Sequence, residues 1–246
     1  MRQAGNALFI ILVTIVLLGL LTYTVTQSSD VLDQNADSQN AYLSASEMLK
    51  YAGRVKTGVE RLMLVKGCAF NEMSFDYADR NNYNTSGYYL NANSPDEGTC
   101  DVFGENGGNV PYEIPPSAAQ AQGGDEYNVQ NHIEVAGVGS SGASDLMLVT
   151  FVTEDICYNV NRILGIDNPS GVPPEFSAAA SFSIPATATE SFPDFTTNSN
   201  GLNTPDIEIG GDAGTEADEL AGKKAGCFLA SNSLDKYIFY YVLVGK

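Results

Sequence analysis

One histidine, four cysteines and a run of carboxylates are the residues of this sequence whose types could do chemistry. His132 is the sole histidine, so a Ser-His-Asp machine would have to use it, with Ser140, Ser141 or Ser144 as the nearby hydroxyls. The stretch GVGSSGASD does not fit the G-x-S-x-G turn that exposes a nucleophilic serine, so His132 reads as a turn-and-strand residue and the chain as a non-enzyme. Cys68, Cys100, Cys157 and Cys227 include no CxxC pair and have no histidine at zinc spacing, which leaves disulfides. Three connectivities are possible and the sequence does not choose among them rigorously. The expected pairing is Cys68–Cys100, tying the end of a helix to the start of the next strand, with Cys157 left for Cys227. In PDIEIGGDAGTEADEL, the residues Asp206, Glu208, Asp212, Glu216 and Asp218 could offer oxygen ligands to Ca²⁺, although their spacing fits no EF-hand. AGKKAG lacks the spaced glycine and the hydroxyl of a phosphate loop, so Lys223 and Lys224 read as solvent-facing charges. FGENGG is a glycine-rich turn, and Asn84 in NTS has the form of a glycosylation acceptor.

Charge narrows the partners. With 12 Lys and Arg against 30 Asp and Glu, the formal net charge is −18. Such a chain repels polyanions, and nucleic-acid binding needs basic clusters that neutralise phosphates. No nucleic-acid partner and no cofactor beyond calcium is therefore expected.

The elements that must position these residues follow from hydrophobic period. LMLVTFV (146–152) and YIFYYVLV (237–244) are apolar runs of strand length, and HIEVAGVG (132–139) alternates as a third strand. EDICYNVNRILGI sets Ile156, Val160, Ile163 and Leu164 on one face of a short helix, which DNPSGVPP stops. From Pro173 to Ala221 the chain reads as a long surface loop or short hairpins. Upstream, Ala7 to Val25 is almost wholly apolar and long enough to span a bilayer. With Arg2 as the only side-chain charge before it, this predicts a single-pass inner-membrane segment with a cytoplasmic N-terminus and an exported remainder, where disulfides persist. Residues 27–66 hold no proline. Their apolar positions Ala41, Ala45, Met48, Ala52, Val55, Val59, Leu62 and Met63, with Leu43 and Leu49 alongside, keep a helical beat. One helix of about 90 Å is expected from Asn6 to Lys66. The expected fold class is thus α+β: a long N-terminal helix, transmembrane then amphipathic, packed on a disulfide-containing, mainly β globular head. The divisions are a leader over 1–5, a transmembrane or filament-core helix over 6–27, an amphipathic helix over 28–66 and an exported domain over 67–246.

RQAGNALFIILVTIVLLGLL resembles the N-terminus of type IV prepilins and pseudopilins, which carry a short basic leader ending in Gly before an uninterrupted apolar helix. The resemblance covers about the first 60 residues. It implies cleavage between Gly5 and Asn6 by a prepilin peptidase, methylation of the new amine, and assembly with sister pilin-like subunits through the helix, with the head periplasmic or on an extracellular filament. Some pseudopilins also hold calcium in the head. Most such pilins have Glu at the fifth mature position, where this chain has Ile10. That departure makes a tip-type or initiating pseudopilin the nearest analogue. The remainder, in CDVFGENGG, ICYNVNRILGIDNPSGVPP and YIFYYVLVGK, is similar to a group of alphaproteobacterial membrane-anchored proteins, which implies no chemistry. The expected function is a structural filament or pseudopilus subunit. The rival expectation is an anchored envelope protein whose head binds or scaffolds and does not polymerise.

Overall fold

The computed structural model describes residues 15, 38–76, 91, 93–95, 98–121, 126–177, 207–211, 217–231 and 236–245. Two units divide at residue 40. The first, Met1–Asn40, is described only at Ile15, which is helical, and at 38–40.

Helix α1 covers 38–61 and continues as a π-turn over Leu62–Lys66. Its buried residues, Ala41, Ala45, Met48, Ala52, Val55, Val59 and Leu62, recur at spacings of three and four, joined by Ser44 and Tyr51. Burying each of the larger side chains contributes roughly 1.5–3 kcal/mol. Two residues assigned to this stripe from the sequence fall outside it: Leu43 is 58% exposed and Met63 37%. The π-turn rotates the chain after Leu62, so Met63, Leu64 and Val65 all face outward. Gly67 ends the helix in the left-handed region at φ 72°, donating its N–H to the Leu62 carbonyl.

Six strands follow: β1 (Asn128–Val135), β2 (Asp145–Val152), β3 (Glu175–Phe176), β4 (Ile207–Ile209), β5 (Ala225–Ala230) and β6 (Lys236–Val244). They form one sheet in the order β3-β5-β6-β2-β1-β4, antiparallel at the centre and parallel at both outer pairs. Helix α2 (Glu154–Leu164) follows β2 and packs on β5 and β6. The two faces of the sheet carry separate cores. Leu146, Leu148, Val152, Phe239 and Leu243 face the helices, while Met147, Val149, Phe151, Ile238, Tyr240 and Val242 face the other way. All six strands contribute to the second core, around which the sheet curls nearly closed, like a barrel. This explains why LMLVTFV is continuously apolar rather than alternating: every residue of β2 is buried. A bulge between Gln130 and Ile133 inserts one extra residue in β1. Because the side-chain period is two, Val129 therefore faces the helices while Ile133 and Val135 face the curl.

Disulfides join Cys68 to Cys100 and Cys157 to Cys227, the pairing expected. The fold class needs correction, however. Among the described residues the chain has one N-terminal helix, not apolar enough to span a membrane, and a mostly β, nearly closed barrel-like sheet. Among the described residues no helix is long and apolar enough to cross a membrane, since α1 carries Lys50, Arg54, Lys56, Glu60 and Arg61. The same finding overturns the single-pass inner-membrane placement. Apart from Ile15, the apolar run over 6–27 lies outside the described residues, as does the leader over 1–5. The expected surface loop before Ala221 also contains β3 and β4, which pair in parallel and not as hairpins.

Candidate functional site

His132, Ser140, Ser141 and Ser144 all lie on the β1–β2 hairpin. His132 is half-buried in the β1 bulge, Ser140 and Ser141 stand exposed in the β1–β2 turn, and Ser144 is buried at the base of β2. The two buried carboxylates beside them hold the hairpin together. Asp145 Oδ2 accepts the Val135 N–H at 2.9 Å, and both Glu134 oxygens accept the Gly142 N–H at 3.1 and 3.0 Å. Of the calcium candidates, Glu208 lies exposed on β4 and Asp218 exposed in the short helix Asp218–Leu220. Asp206, Asp212 and Glu216 lie outside the described residues, as do Gly5, Asn6, Ile10 and Asn84. Among the described residues no three acidic, histidine or cysteine side chains gather to hold a metal. Lys224 is exposed, but Lys223 is half-buried at the entry to β5, its carbonyl accepting the Tyr240 hydroxyl at 3.0 Å.

A concavity runs along one flank of α1, against residues 108–116. Its wider part is a cleft of about 970 Å³ walled by Glu47, Tyr51, Arg54, Tyr112, Glu113 and Tyr127. The narrower part, about 400 Å³, continues past Lys50, Arg54, Thr57 and Arg61 to Asn109 and Pro111. Lys50, Arg54, Thr57 and Arg61 stand at i, i+4, i+7 and i+11, so they form one exposed stripe. The opposite wall is held in place by the turn that the sequence marks as FGENGG. Gly108 donates to the Asp101 carbonyl at 2.8 Å, and Val110 to that of Val102 at 3.2 Å. That wall can lie close to the helix because residue 58 is glycine: a Cβ there would stand 2.4 Å from Val110 Cγ2.

Across the cleft, Arg54 meets Glu113 at 2.6 Å, both side chains nearly half exposed, and lies 5.4 Å from the Tyr51 ring centre. The Glu113 N–H donates to the Tyr51 hydroxyl at 3.2 Å, and the Tyr51 and Tyr127 rings stand 4.9 Å apart. Burial pushes the Tyr127 phenol well above its ordinary range, and Tyr51, Glu113 and Glu47 add to the effect against the opposing Arg54. Tyr127 thus keeps its proton and serves as wall, not as base. The arrangement can bind through cations and hydrogen bonds.

Comparison with known proteins yields no match: no family model, no curated protein and no solved structure is significantly similar to this chain.

The groove was missed from the sequence because its two walls are about 50 residues apart. Half of its signal was readable, since three cations share one helical stripe of a strongly acidic chain. Asn161 was missed as well. It reads as a polar helix position, yet it is fully buried and joins α2 to β5.

Proposed function

We propose that this chain is a non-enzymatic structural subunit of a pilin-like filament, assembled through its N-terminal helix. The observation that carries the reading is the continuity of pattern: the uncharged run Ala7–Val25 leads into a helix whose inner face is committed to the sheet. Apolar surface of that length is stabilised by burial against sister helices. The disulfide at Cys68–Cys100 supports the reading because it binds the end of this helix to its own head. Ile10 offers no carboxylate to pair with a neighbour's N-terminal amine, so the chain suits a minor position at a tip or in an initiating complex.

The test is the mass of the mature N-terminal peptide after co-expression with a prepilin peptidase. The expected product begins at a methylated Asn6. A product beginning at Met1, or near Gln27, overturns the proposal. Co-expression with an assembly ATPase system then tests the minor role, because long homopolymers of this chain alone would refute the argument from Ile10.

A further inference from the structure

The narrower part of the α1 groove has an unusual lining for this protein. Acidic residues outnumber basic ones 30 to 12, yet none of the residues around this part of the groove is acidic. Three of the 12 cations, Lys50, Arg54 and Arg61, line it. Arg54 shares its charge with Glu113, whereas Lys50 and Arg61 have no ion-pair partner among the described residues. From residue 50 to residue 61 the stripe is about 16 Å long, the reach of about five residues of extended chain. Gly53 on the helix leaves space beside this part of the groove, since a Cβ there would find its nearest atom, the Tyr241 hydroxyl, at 3.8 Å.

An acidic surface of matching kind exists on the same chain. Glu208 is exposed on β4, which among the described residues is an end strand of the sheet and pairs with β1. Asp218 is exposed and Glu219 half-exposed in the turn packed beside it, where Gly210 sits against Ala221. Ile209 and Leu220 of this edge belong to the core inside the curl, while Glu208, one residue before Ile209, alternates to the outside. None of these acidic residues lines the groove, so groove and edge are different sets of residues.

We infer that the basic groove receives the acidic β4 edge of a second copy of this chain. The inference rests on the filament reading and gives it a contact between heads. Groove and edge being different patches, the contact is heterologous: each copy offers one of each, and the contact repeats in one direction without having to close. Charge complementarity sets its orientation and makes it sensitive to salt, because both patches are exposed.

The test is a charge swap in the full-length protein, followed by sedimentation at about 0.05 M and about 0.5 M salt. One variant is Lys50→Glu with Arg61→Glu, and the other is Glu208→Lys with Asp218→Lys. Because all four positions are exposed, unchanged thermal melts are expected and confirm that each variant folds. The wild type should self-associate, and each variant alone should do so at least about tenfold more weakly at the same salt, the two salts separating the local contact from the general repulsion between copies of net charge −18. An equimolar mixture of the two should regain association, since each then meets a groove and an edge of opposite charge. Variants that associate like the wild type, or a mixture that does not recover, overturn the groove contact. If those variants still form filaments in the co-expression system, the contact alone has failed. If the wild type neither associates nor enters filaments, the filament reading has failed with it.

Discussion

Replacing Asn161 with leucine should destabilise the folded chain by about 2–4 kcal/mol, far more than an asparagine on a short helix ordinarily would. Its Oδ1 accepts the Cys227 N–H at 2.9 Å and its Nδ2 donates to the Cys227 carbonyl at 2.9 Å, with a further bond to Asn168 Oδ1 at 3.0 Å. The reason lies in the register of β5. On the side of β5 away from β6, Leu229 donates to the Pro174 carbonyl and Ser231 to that of Phe176, both on or beside β3. Cys227 is the next residue of the same parity, and β3 does not reach it. The Asn161 amide supplies the donor and acceptor that a longer β3 would have provided. Leucine keeps the approximate volume but removes all three bonds, orphaning the buried N–H and carbonyl of Cys227. Each lost bond is worth about 1 kcal/mol and each orphaned group costs about 1–3 kcal/mol, part of which water recovers. For a unit of this size the loss corresponds to roughly 6–12 °C in Tm. Urea melts of wild type and Asn161→Leu measure it directly. Asn161→Asp adds a control, because it keeps the acceptor for the Cys227 N–H while losing the donor and introducing a buried charge. It should be destabilised at neutral pH and recover in part as the carboxyl is protonated. A leucine variant within about 0.5 kcal/mol of wild type would show that Cys227 finds other partners, and the strand-extension argument would fail.

Two glycines of α1 should respond to alanine with opposite signs. At Gly58 the new Cβ meets Val110 at 2.4 Å, so overpacking of about 1–3 kcal/mol should outweigh a helix gain of about 1 kcal/mol. At Gly53 the nearest atom is the Tyr241 hydroxyl at 3.8 Å, so the same change should stabilise by about 0.5–1 kcal/mol; chemical denaturation of the pair checks both signs. Burial raises the pKa of Tyr127, Tyr240 and Tyr241, with the Asp145 charge adding to the shift at Tyr240 and that of Glu60 at Tyr241. Their contribution is complete below the ordinary tyrosine value of 10.0 and is lost as pH rises beyond it, because the unfolded chain then releases protons that the folded one keeps. A spectroscopic titration should show the Tyr127 and Tyr240 phenols ionising together with unfolding and not before it. Cys157→Ala with Cys227→Ala opens a closure of 70 residues and should cost on the order of 4 kcal/mol in the loop-entropy account, read from melts under non-reducing conditions.

The parts of the fold that depend on local pattern were legible. The buried stripe of α1 from Ala41 to Leu62, the β2 and β6 runs and the α2 helix all follow from period and composition. Elements made by distant partners were not. AGCFLA begins with small residues and shows no alternation, yet it is β5, because β6 pairs along one side of it while β3 and Asn161 satisfy the other. Ile207–Ile209 is too short to signal a strand, and β1 makes it one by parallel pairing. Met63 falls where the π-turn breaks the three-four beat, whereas Leu43, between Ala41 and Ala45, simply points off the buried stripe. The disulfide pairing is the one expected, but only half of its reason holds: Cys68 follows α1 and Cys157 lies in α2, whereas Cys100 stands in a turn and not at the start of a strand, and Cys227 lies within β5. For the groove, only the cationic stripe could be seen, since its far wall depends on a glycine turn folded back onto Val102 and Asp101.

The covalent bridges stand beside α1 and on α2, and their places matter under the proposal that the chain is held by its N-terminal helix. From Ala41 to Leu62 the buried face of α1 extends for about 30 Å. Force that slid the helix along the sheet would have to break those contacts together. Force that peeled it from its N-terminal side would break them one turn at a time, at roughly 1.5–3 kcal/mol for each large side chain. Peeling is the weaker route, and it runs toward Leu62. Six residues beyond Leu62 it meets Cys68, bonded to Cys100, whose neighbour Asp101 bridges Ser74. A peeled helix would therefore remain covalently joined to its own head beyond the ordinary chain connection, and could dock again on the same face. On the far side of that face, α2 is kept against β5 by Cys157–Cys227 and by Asn161, one turn further along the helix. With α2 fixed, the surface that receives α1 keeps its shape while α1 is displaced. The fold thus places its strongest links where an interrupted helix–sheet contact can re-form.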